Sequence, residues 1–162
     1  MSIRIIATGG TFDKEYDELA GKLGFAESHM PDVLERARLT IDVKLEVRNL
    51  IDSLDMVDQD RAEILQSCLN SAERAIVIIH GTDTMRETAQ VLGAAKMDKV
   101  VVLTGAMIPY QIANSDAFFN LGFACGVVQL LPAGVYVAMN GRVFPWNDVK
   151  KDKSVGVFIN QA

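Results

Sequence analysis

Hydroxyl, glycine and acidic residues cluster at points where short apolar runs end. Residues 8–11 read TGGT, and residues 80–84 read HGTDT. A threonine hydroxyl is a weak nucleophile at neutral pH and needs a neighbouring proton acceptor. Thr11 is the first candidate nucleophile, and Tyr16, five residues later, would supply a phenolate-like base or a proton relay. Asp83 would hold a substrate ammonium group or fix a lysine–threonine pair. The structural alternative is that Thr8 and Thr11 merely suit a strand end and a turn.

Other catalytic patterns are poorly supported. The chain has no G-x-G-x-x-G after its first apolar run and no phosphate loop ending in Gly-Lys-Ser/Thr, which argues against nucleotide binding. It also lacks a G-x-S-x-G elbow, and His29 and His80 are the only imidazoles available as a base. A Ser-His-Asp hydrolase is therefore disfavoured.

The elements that must position these residues alternate between strands and helices. The predicted strands are Ile3–Ala7, Ile41–Val47, Ala75–Ile79, Val100–Leu103 and Val135–Met139. Three of them are apolar throughout, as in strands that are buried on both faces of a parallel sheet. This alternation predicts an α/β fold, with an open, mostly parallel, doubly wound sheet and helices on both faces. In such a sheet, ligands bind beyond the carboxyl ends of the strands, where the threonine-rich segments fall.

Four helices are expected between the strands. Asp60 with Glu63, and Thr84 with Glu87, have the spacing of capping boxes. A third helix is predicted to start at Asn114 or Ser115 and to run to about residue 131, and a shorter one follows Pro31. Residues 12–30 show no periodicity and are predicted to form a long loop that acts as a lid.

Composition limits the class of protein. The chain has 162 residues, of which 49% are hydrophobic, so residues 1–162 are predicted to form one globular domain. The net charge of −5 and the lack of a basic run argue against nucleic-acid binding.

Cys68 and Cys125 lack metal or redox spacing and are expected to be buried free thiols. The apolar stretch between residues 121 and 139 is interrupted by Pro132 and Gly134, which argues against a membrane helix. A cytoplasmic location is expected.

Taken together, these segments resemble the bacterial-type L-asparaginase family. The first two segments, TGGT at residues 8–11 and HGTDTM at residues 80–85, resemble its two signature motifs. Weaker matches follow in the correct order. They are residues 52–56 (DSLDM), residues 104–107 (TGAM) with Ser115, Asp116, Asn120 and Leu121, and residues 148–151 (DVKK). The resemblance covers nearly all of the chain, but only the N-terminal domain of the usual two-domain member.

The resemblance implies hydrolysis of L-asparagine to aspartate and ammonia through an acyl-enzyme, without cofactor or metal. Thr11 would be the nucleophile, with Tyr16 as its loop-borne partner, and Thr82, Asp83 and Lys151 would form the second catalytic group. Ser53 and Asp83 would bind the substrate's α-carboxylate and α-ammonium groups. Backbone N–H groups near Thr11 and Thr82 would hold the oxyanion. The substrate-binding set is therefore Gly10, Ser53, Gly81, Thr82 and Asp83.

The sequence also departs from the family pattern. Leu54 stands where many relatives have a polar side chain, and Ile108 replaces a common arginine. Lys150 is an alternative to Lys151, and Thr82 is an alternative to Thr11 as the first attacking group. We expect the C-terminal domain to be absent, and with it the acid that a neighbouring subunit supplies, which predicts weak substrate affinity. On resemblance alone, the chain should form a homo-oligomer, at least a dimer.

Two other functions remain open. The first is an amidase for glutamine or a blocked asparagine-like substrate. The second is a non-catalytic module that binds aspartate or asparagine. A pure binder needs carboxylate and ammonium contacts, but it does not need two hydroxyls and a lysine, so the retained polar groups favour an enzyme.

Overall fold

The buried apolar runs form the strands of a central six-stranded sheet in the computed structural model, which describes residues 1–161. The strands are β1 (Ser2–Gly9), β2 (Glu15–Asp17), β3 (Lys22–Gly24), β4 (Asp42–Ile51), β5 (Ala75–Ile79), β6 (Val100–Thr104), β7 (Gly134–Met139), β8 (Arg142–Pro145), β9 (Lys150–Asp152) and β10 (Val157–Ile159). The helices are α1 (Met30–Ala37), α2 (Asp58–Asn70), α3 (Met85–Ala94) and α4 (Ala117–Val127). Two short 3-10 turns, Thr11–Asp13 and Ser53–Asp55, follow β1 and β4.

The order of the central sheet is β4-β1-β5-β6-β7-β8. The first five strands run parallel, and only β8 pairs antiparallel, with β7. The remaining strands form two antiparallel hairpins, β2 with β3 and β9 with β10. The predicted mostly parallel α/β sheet is therefore confirmed.

Helices cover both faces of the sheet. Alternate residues of β5 enter different cores: Val77 packs with residues of α1 and α4, whereas Ile78 packs with residues of α2 and α3. Every residue of β5 is buried, because helices lie against both of its faces. Burying a valine or isoleucine side chain contributes about 1.5–3 kcal/mol each, so this strand forms a rigid centre for the fold.

The chain changes direction across the sheet between β1 and β5. From β1 it passes to β4 on one side, and it then returns to β5 on the other. The two strands run parallel, with Ala7 opposite Ile79, so the loops that follow them leave the sheet side by side. Such a switch point creates a crevice at the carboxyl ends of the strands.

Several predicted boundaries were wrong. Helix α2 begins at Asp58, so Asp60 lies within its first turn and does not precede the helix as predicted. The Asp60 carboxylate caps the helix from this position by accepting a hydrogen bond from the Val57 amide. Helix α4 begins at Ala117 because Asn114 adopts a left-handed conformation, and it ends at Val127 rather than near residue 131. Strand β4 runs beyond Val47 as an edge strand, where polar residues are tolerated. The helix predicted after Pro31 is confirmed as α1, with Pro31 in its first turn.

Residues 12–30 are not simply a loop. The β2–β3 hairpin lies within them, and its turn is closed by the Gly21 amide, which donates to the Asp17 carbonyl at 2.8 Å. The hairpin strands have three residues each, too few for a readable period-2 pattern. No helix within residues 1–161 is long and apolar enough to cross a membrane.

Candidate active site

Two glycines allow the loop after β1 to touch the loop after β5. Gly9 and Gly10 both have positive φ, 94° and 70°, which glycine adopts without strain. A Cβ atom on Gly10 would collide with the backbone of Gly81. The Gly10 amide also donates to the Ile51 carbonyl at 3.0 Å, which ties this loop to the end of β4. Three strand ends therefore meet around residues 9–11.

The two threonines of the first segment have different environments. Thr8 is buried, and its hydroxyl donates to the Ile79 carbonyl at 2.8 Å, which makes it a structural link between β1 and β5. Thr11 opens the first 3-10 turn and is only partly buried. Its hydroxyl makes no hydrogen bond to another of the described residues. Of the two hydroxyls, that of Thr11 is the one free to meet a ligand.

Ser53 is held against the loop after β5. Its side chain is buried, and a Cβ atom on Gly81 would lie 2.6 Å from the Ser53 Oγ. The Thr84 amide donates to Ser53 Oγ at 3.3 Å, and the Thr84 hydroxyl donates to the Ser53 carbonyl at 2.7 Å. The capping box predicted for Thr84 and Glu87 is not formed, because the Thr84 hydroxyl fixes the Ser53 turn instead.

Thr82, Asp83 and Lys151 form a contiguous polar group. The Lys151 Nζ atom donates to Thr82 Oγ1 and to Asp83 Oδ1, each at 2.8 Å. Thr82 is buried, the Lys151 side chain is 15% exposed, and the Asp83 side chain is 34% exposed. The Lys151–Asp83 ion pair therefore lies at the edge of the crevice and not in the core.

The strand β9 determines which of two adjacent lysines reaches the crevice. Side chains alternate between the two faces of a strand, so Lys150 and Lys151 diverge. The Lys150 ammonium donates to the Gln161 carbonyl at 3.1 Å and is exposed to solvent. The structure thus brings Lys151, and not Lys150, to Thr82 and Asp83.

His80 lies in the conspicuous second segment but serves a structural role. It is fully buried, with Nδ1 2.7 Å from the Gly81 carbonyl and Nε2 2.7 Å from the Thr88 hydroxyl. A carbonyl oxygen only accepts, so Nδ1 carries the proton and the Thr88 hydroxyl donates to Nε2. Burial lowers the pKa of His80 to about 4, so the ring is neutral at pH 7.

Asp116 and Asn120, which sequence reasoning placed only in a weak motif match, make hydrogen bonds to the loop after β6. The Asp116 carboxylate accepts hydrogen bonds from the amides of Met107 at 3.0 Å and Ile108 at 3.1 Å. The Asn120 side-chain amide donates to the Gly105 carbonyl at 2.9 Å and to Asp116 at 3.0 Å. Their role is to hold the loop after β6, whose Met107 sulfur lies 3.8 Å from the Thr82 hydroxyl.

Tyr16 lies on the β2–β3 hairpin and is 66% exposed. No contact among the described residues joins its hydroxyl to Thr11, so the structure does not bring this predicted partner to Thr11. The base of the hairpin is fixed by the buried Asp13, whose carboxylate accepts from the Ser28 hydroxyl at 3.1 Å and the His29 amide at 2.8 Å. Burial raises the pKa of Asp13 despite these hydrogen bonds.

Sequence reasoning missed Lys14, whose ammonium pairs with the Asp52 carboxylate. Its nearness to Thr11 in the chain was the only available signal. Within residues 1–161, no group of three or more His, Cys, Asp or Glu side chains could hold a metal ion.

Comparison with known proteins identifies consistent relatives. Residues 2–158 match the family model described as "Asparaginase, N-terminal". The chain is 33% identical over 177 residues to "Probable L-asparaginase periplasmic" from Haemophilus influenzae. The match covers 96% of this chain and 48% of that protein. The chain thus spans about half the length of the curated relatives that it matches.

Solved structures agree with this match. The thermostable L-asparaginase from Thermococcus kodakarensis superposes with a TM-score of 0.88 at 28% identity, over 99% of this chain and 51% of that one. The "Probable Cytoplasmic L-asparaginase" from Campylobacter jejuni superposes with a TM-score of 0.84 at 31% identity, over 98% of this chain and 52% of that one.

Proposed function

The chain belongs to the asparaginase family, and from this premise we propose that it hydrolyses the side-chain amide of L-asparagine to L-aspartate and ammonia. The observation that carries the proposal is the contact of Lys151 with both Thr82 and Asp83 at the edge of the crevice. A lysine that bridges a threonine hydroxyl and a carboxylate is a proton-transfer group, and a pure binding module would not need it. The close approach of Gly10 to Gly81 brings the loop that contains Thr82 and Asp83 next to the loop that contains Thr11.

We assign the nucleophilic role to Thr11. In the structure, Lys151 donates hydrogen bonds to the Thr82 hydroxyl and to the Asp83 carboxylate. A donated hydrogen bond withdraws electron density from the Thr82 oxygen, which makes that hydroxyl a better proton donor and a poorer nucleophile. The free hydroxyl of Thr11 has no such restraint.

In the proposed first step, Thr11 Oγ forms a bond to the amide carbon of the substrate, and the carbonyl π electrons move to the oxygen. The Thr11 proton passes through the Tyr16 hydroxyl to the substrate nitrogen. The carbonyl then re-forms, the C–N bond breaks and ammonia leaves. Water attacks the resulting ester, its proton returns to Thr11, and aspartate is released. The Thr82, Asp83 and Lys151 group relays the proton of this water to Thr11.

Substrate binding is assigned to the loops that converge on the crevice. The Ser53 hydroxyl would donate a hydrogen bond to the α-carboxylate, and the Asp83 carboxylate, whose side chain is 34% exposed, would face the α-ammonium. Backbone N–H groups near Thr11 and Thr82, from the segments that contain Gly10 and Gly81, would hold the developing oxyanion. Loss of one such donor typically costs about 3–4 kcal/mol of transition-state stabilisation.

Tyr16 acts in this scheme only if its hairpin moves over Thr11, since its side chain is exposed. Closure of a loop on substrate binding is a common way to complete a catalytic site. The scheme needs no metal or cofactor, because the hydroxyl, lysine and carboxylate groups supply each proton transfer.

The test is ammonia release from L-asparagine and L-glutamine by the wild type and by Thr11→Ala. We expect the wild type to release ammonia from asparagine and the variant to release none. Release from glutamine alone would make the protein an amidase with another specificity. Binding of aspartate in calorimetry without ammonia release would instead identify the chain as a binding module.

We further propose a homo-oligomer, at least a dimer, in the cytoplasm. Exposed apolar side chains on and after α4, Phe119 at 60% and Leu130 at 85%, support burial by another chain. The Campylobacter neighbour is named a probable cytoplasmic L-asparaginase, whereas the Haemophilus relative is named a probable periplasmic one. Light scattering on the purified protein and fractionation of its native cells test the two statements.

A further inference from the structure

An ion pair joins the two 3-10 turns that carry Thr11 and Ser53. Lys14 is the residue that ends the Thr11 turn, where its amide donates to the Thr11 carbonyl at 3.2 Å. Asp52 is the residue that begins the Ser53 turn, where its carboxylate accepts from the Leu54 amide at 3.0 Å. The Lys14 ammonium contacts the second oxygen of that same carboxylate. The pair therefore links the end of one turn to the start of the other.

The side chain of Lys14 contacts two segments outside its own turn. Side chains three residues apart eclipse in a 3-10 helix, so Lys14 starts on the same side of the turn as Thr11. Its ammonium is held by Asp52, and it also lies 5.9 Å from the centre of the Phe25 ring, just beyond the hairpin. Lys14 thus contacts the Ser53 turn and the chain that returns from the hairpin.

The pair is partly shielded from solvent. The Lys14 side chain is 20% exposed and that of Asp52 is 28% exposed. Burial raises the pKa of Asp52, but the Lys14 ammonium and the Leu54 amide outweigh that effect, so the pKa is lowered overall. Asp52 is consequently a carboxylate at neutral pH, and Lys14 is the cation paired with it.

We propose that Lys14 is a positioning residue for substrate binding: its ion pair with Asp52 fixes the Ser53 turn beside Thr11 and cancels the negative charge that Asp52 would otherwise place near the substrate's α-carboxylate. This inference rests on the proposed function, because it requires an anionic group to bind at the Ser53 turn. Lys14 acts through Asp52 and does not contact the reacting atoms.

The proposal predicts that removing Lys14 weakens substrate binding more than removing the charge of Asp52 does. Removing Lys14 leaves the Asp52 charge uncompensated beside an anionic substrate group. Removing the charge of Asp52 loses the link but leaves a cation, which attracts that group. A role limited to stabilising the fold would make the two losses alike.

The experiment measures kcat and KM for asparagine by ammonia release and the Kd for L-aspartate by calorimetry. The proteins compared are the wild type, Lys14→Met, Lys14→Arg, Asp52→Asn and the Lys14→Met/Asp52→Asn double variant. Lys44→Met is the matched control, because Lys44 also pairs with an aspartate, Asp42, at 3.1 Å, and both side chains are exposed on β4. Melting temperatures establish that each variant is folded.

We expect Lys14→Met to raise KM and the aspartate Kd at least tenfold, with kcat changed less than threefold. Lys14→Arg should remain within threefold of the wild type, and the double variant should bind better than Lys14→Met. Three outcomes would overturn this inference while leaving the proposed function intact. They are equal effects of Lys14→Met and Asp52→Asn on KM and Kd, a loss confined to kcat, and a change in Lys44→Met as large as that in Lys14→Met. A wild type that neither turns over asparagine nor binds aspartate would overturn the proposed function and this inference with it.

Discussion

Lys150 and Lys151 are adjacent on β9, yet their ammonium groups bond to different parts of the molecule. Lys151 donates to Thr82 and Asp83 at 2.8 Å, whereas Lys150 donates to the Gln161 carbonyl at 3.1 Å. The antiparallel pairing of Lys151 with Phe158 and of Lys150 with Ile159 fixes this alternation. Two residues of identical chemistry therefore form an internal control for any role of the crevice lysine.

Lys151→Met should lower kcat/KM for asparagine by about 10²–10⁴, the usual contribution of a positioned proton-transfer group. Lys150→Met should remain within about threefold of the wild type, because its bond to an exposed carbonyl contributes little. Steady-state ammonia release measures both. Equal losses in the two variants would refute the assignment of Lys151 and would indicate a general requirement for positive charge.

Replacing the proposed nucleophile should separate chemistry from folding. Thr11→Ala should abolish ammonia release while shifting the melting temperature by less than about 2 °C, since the hydroxyl forms no hydrogen bond within residues 1–161 and surface changes typically cost under 0.5 kcal/mol. Thr11→Ser, which keeps the hydroxyl, should retain measurable turnover. Substantial activity in Thr11→Ala would transfer the nucleophilic role to Thr82.

Sequence reasoning could predict that the threonine-rich segments lie close together, because parallel strands bring their carboxyl ends to one edge of the sheet. Residues separated by about 70 positions, such as Gly10 and Gly81, could thus be expected to meet. It could not choose between Lys150 and Lys151. That choice depends on which face of β9 turns toward Thr82 and Asp83, and the packing of the β9–β10 hairpin that sets this orientation is not readable from the sequence.

Contacts made by side chains across long loops were beyond sequence reasoning. The Lys14–Asp52 pair joins residues 38 positions apart, and neither is unusual in its own segment. The sequence left His80 only as an available imidazole without an assigned role, and its burial and its two hydrogen bonds make it a structural residue. Tyr16 was placed near Thr11 by proximity in the chain, and the hairpin leaves its ring exposed.

The contact between Gly10 and Gly81 should make Gly10 intolerant of any side chain. Gly10→Ala would need a positive φ of 70° and would force Cβ into the Gly81 backbone, so the free energy of unfolding should fall by at least about 2 kcal/mol. Gly24→Ala is the control, because a Cβ atom at Gly24 meets nothing within 4 Å. Urea unfolding measures both, and similar stability of the two variants would contradict the close approach.

The buried His80 predicts a fall in stability in mild acid. Its pKa is lowered from 6.5 to about 4 in the folded chain, so between those values the unfolded state binds a proton that the folded state does not. The free energy of unfolding should be unaffected by His80 above pH 6.5, fall by up to about 1.4 kcal/mol per pH unit below it, and level off below pH 4.

The measurement is urea unfolding of the wild type and of His80→Gln, which keeps a donor and an acceptor but does not titrate. Between pH 7 and pH 5 the wild type should lose about 2 kcal/mol more than the variant. Parallel curves for the two proteins would show that the imidazole is not protected from protonation.

The hairpin that carries Tyr16 should respond to ligand. Asp13 holds its base by accepting bonds from Ser28 and His29, while Tyr16 and Lys22 are exposed, so the hairpin can move while its ends stay fixed. If Tyr16 is the proton relay of Thr11, aspartate in the crevice should draw the hairpin over the site and shield it from solvent.

Limited trypsin digestion, followed by mass spectrometry, should detect cleavage after Lys22 in the free protein and protection by L-aspartate of at least about fivefold. Lys96 is the internal control, because it follows the end of α3 that lies away from the crevice, before the start of β6. Cleavage after Lys96 should therefore not change when aspartate is added. The Tyr16→Phe variant should still show protection but lose turnover, since the ring can close without its hydroxyl. Cleavage after Lys22 at the same rate with and without aspartate, in an otherwise active enzyme, would mean that the hairpin stays open and that another group accepts the Thr11 proton.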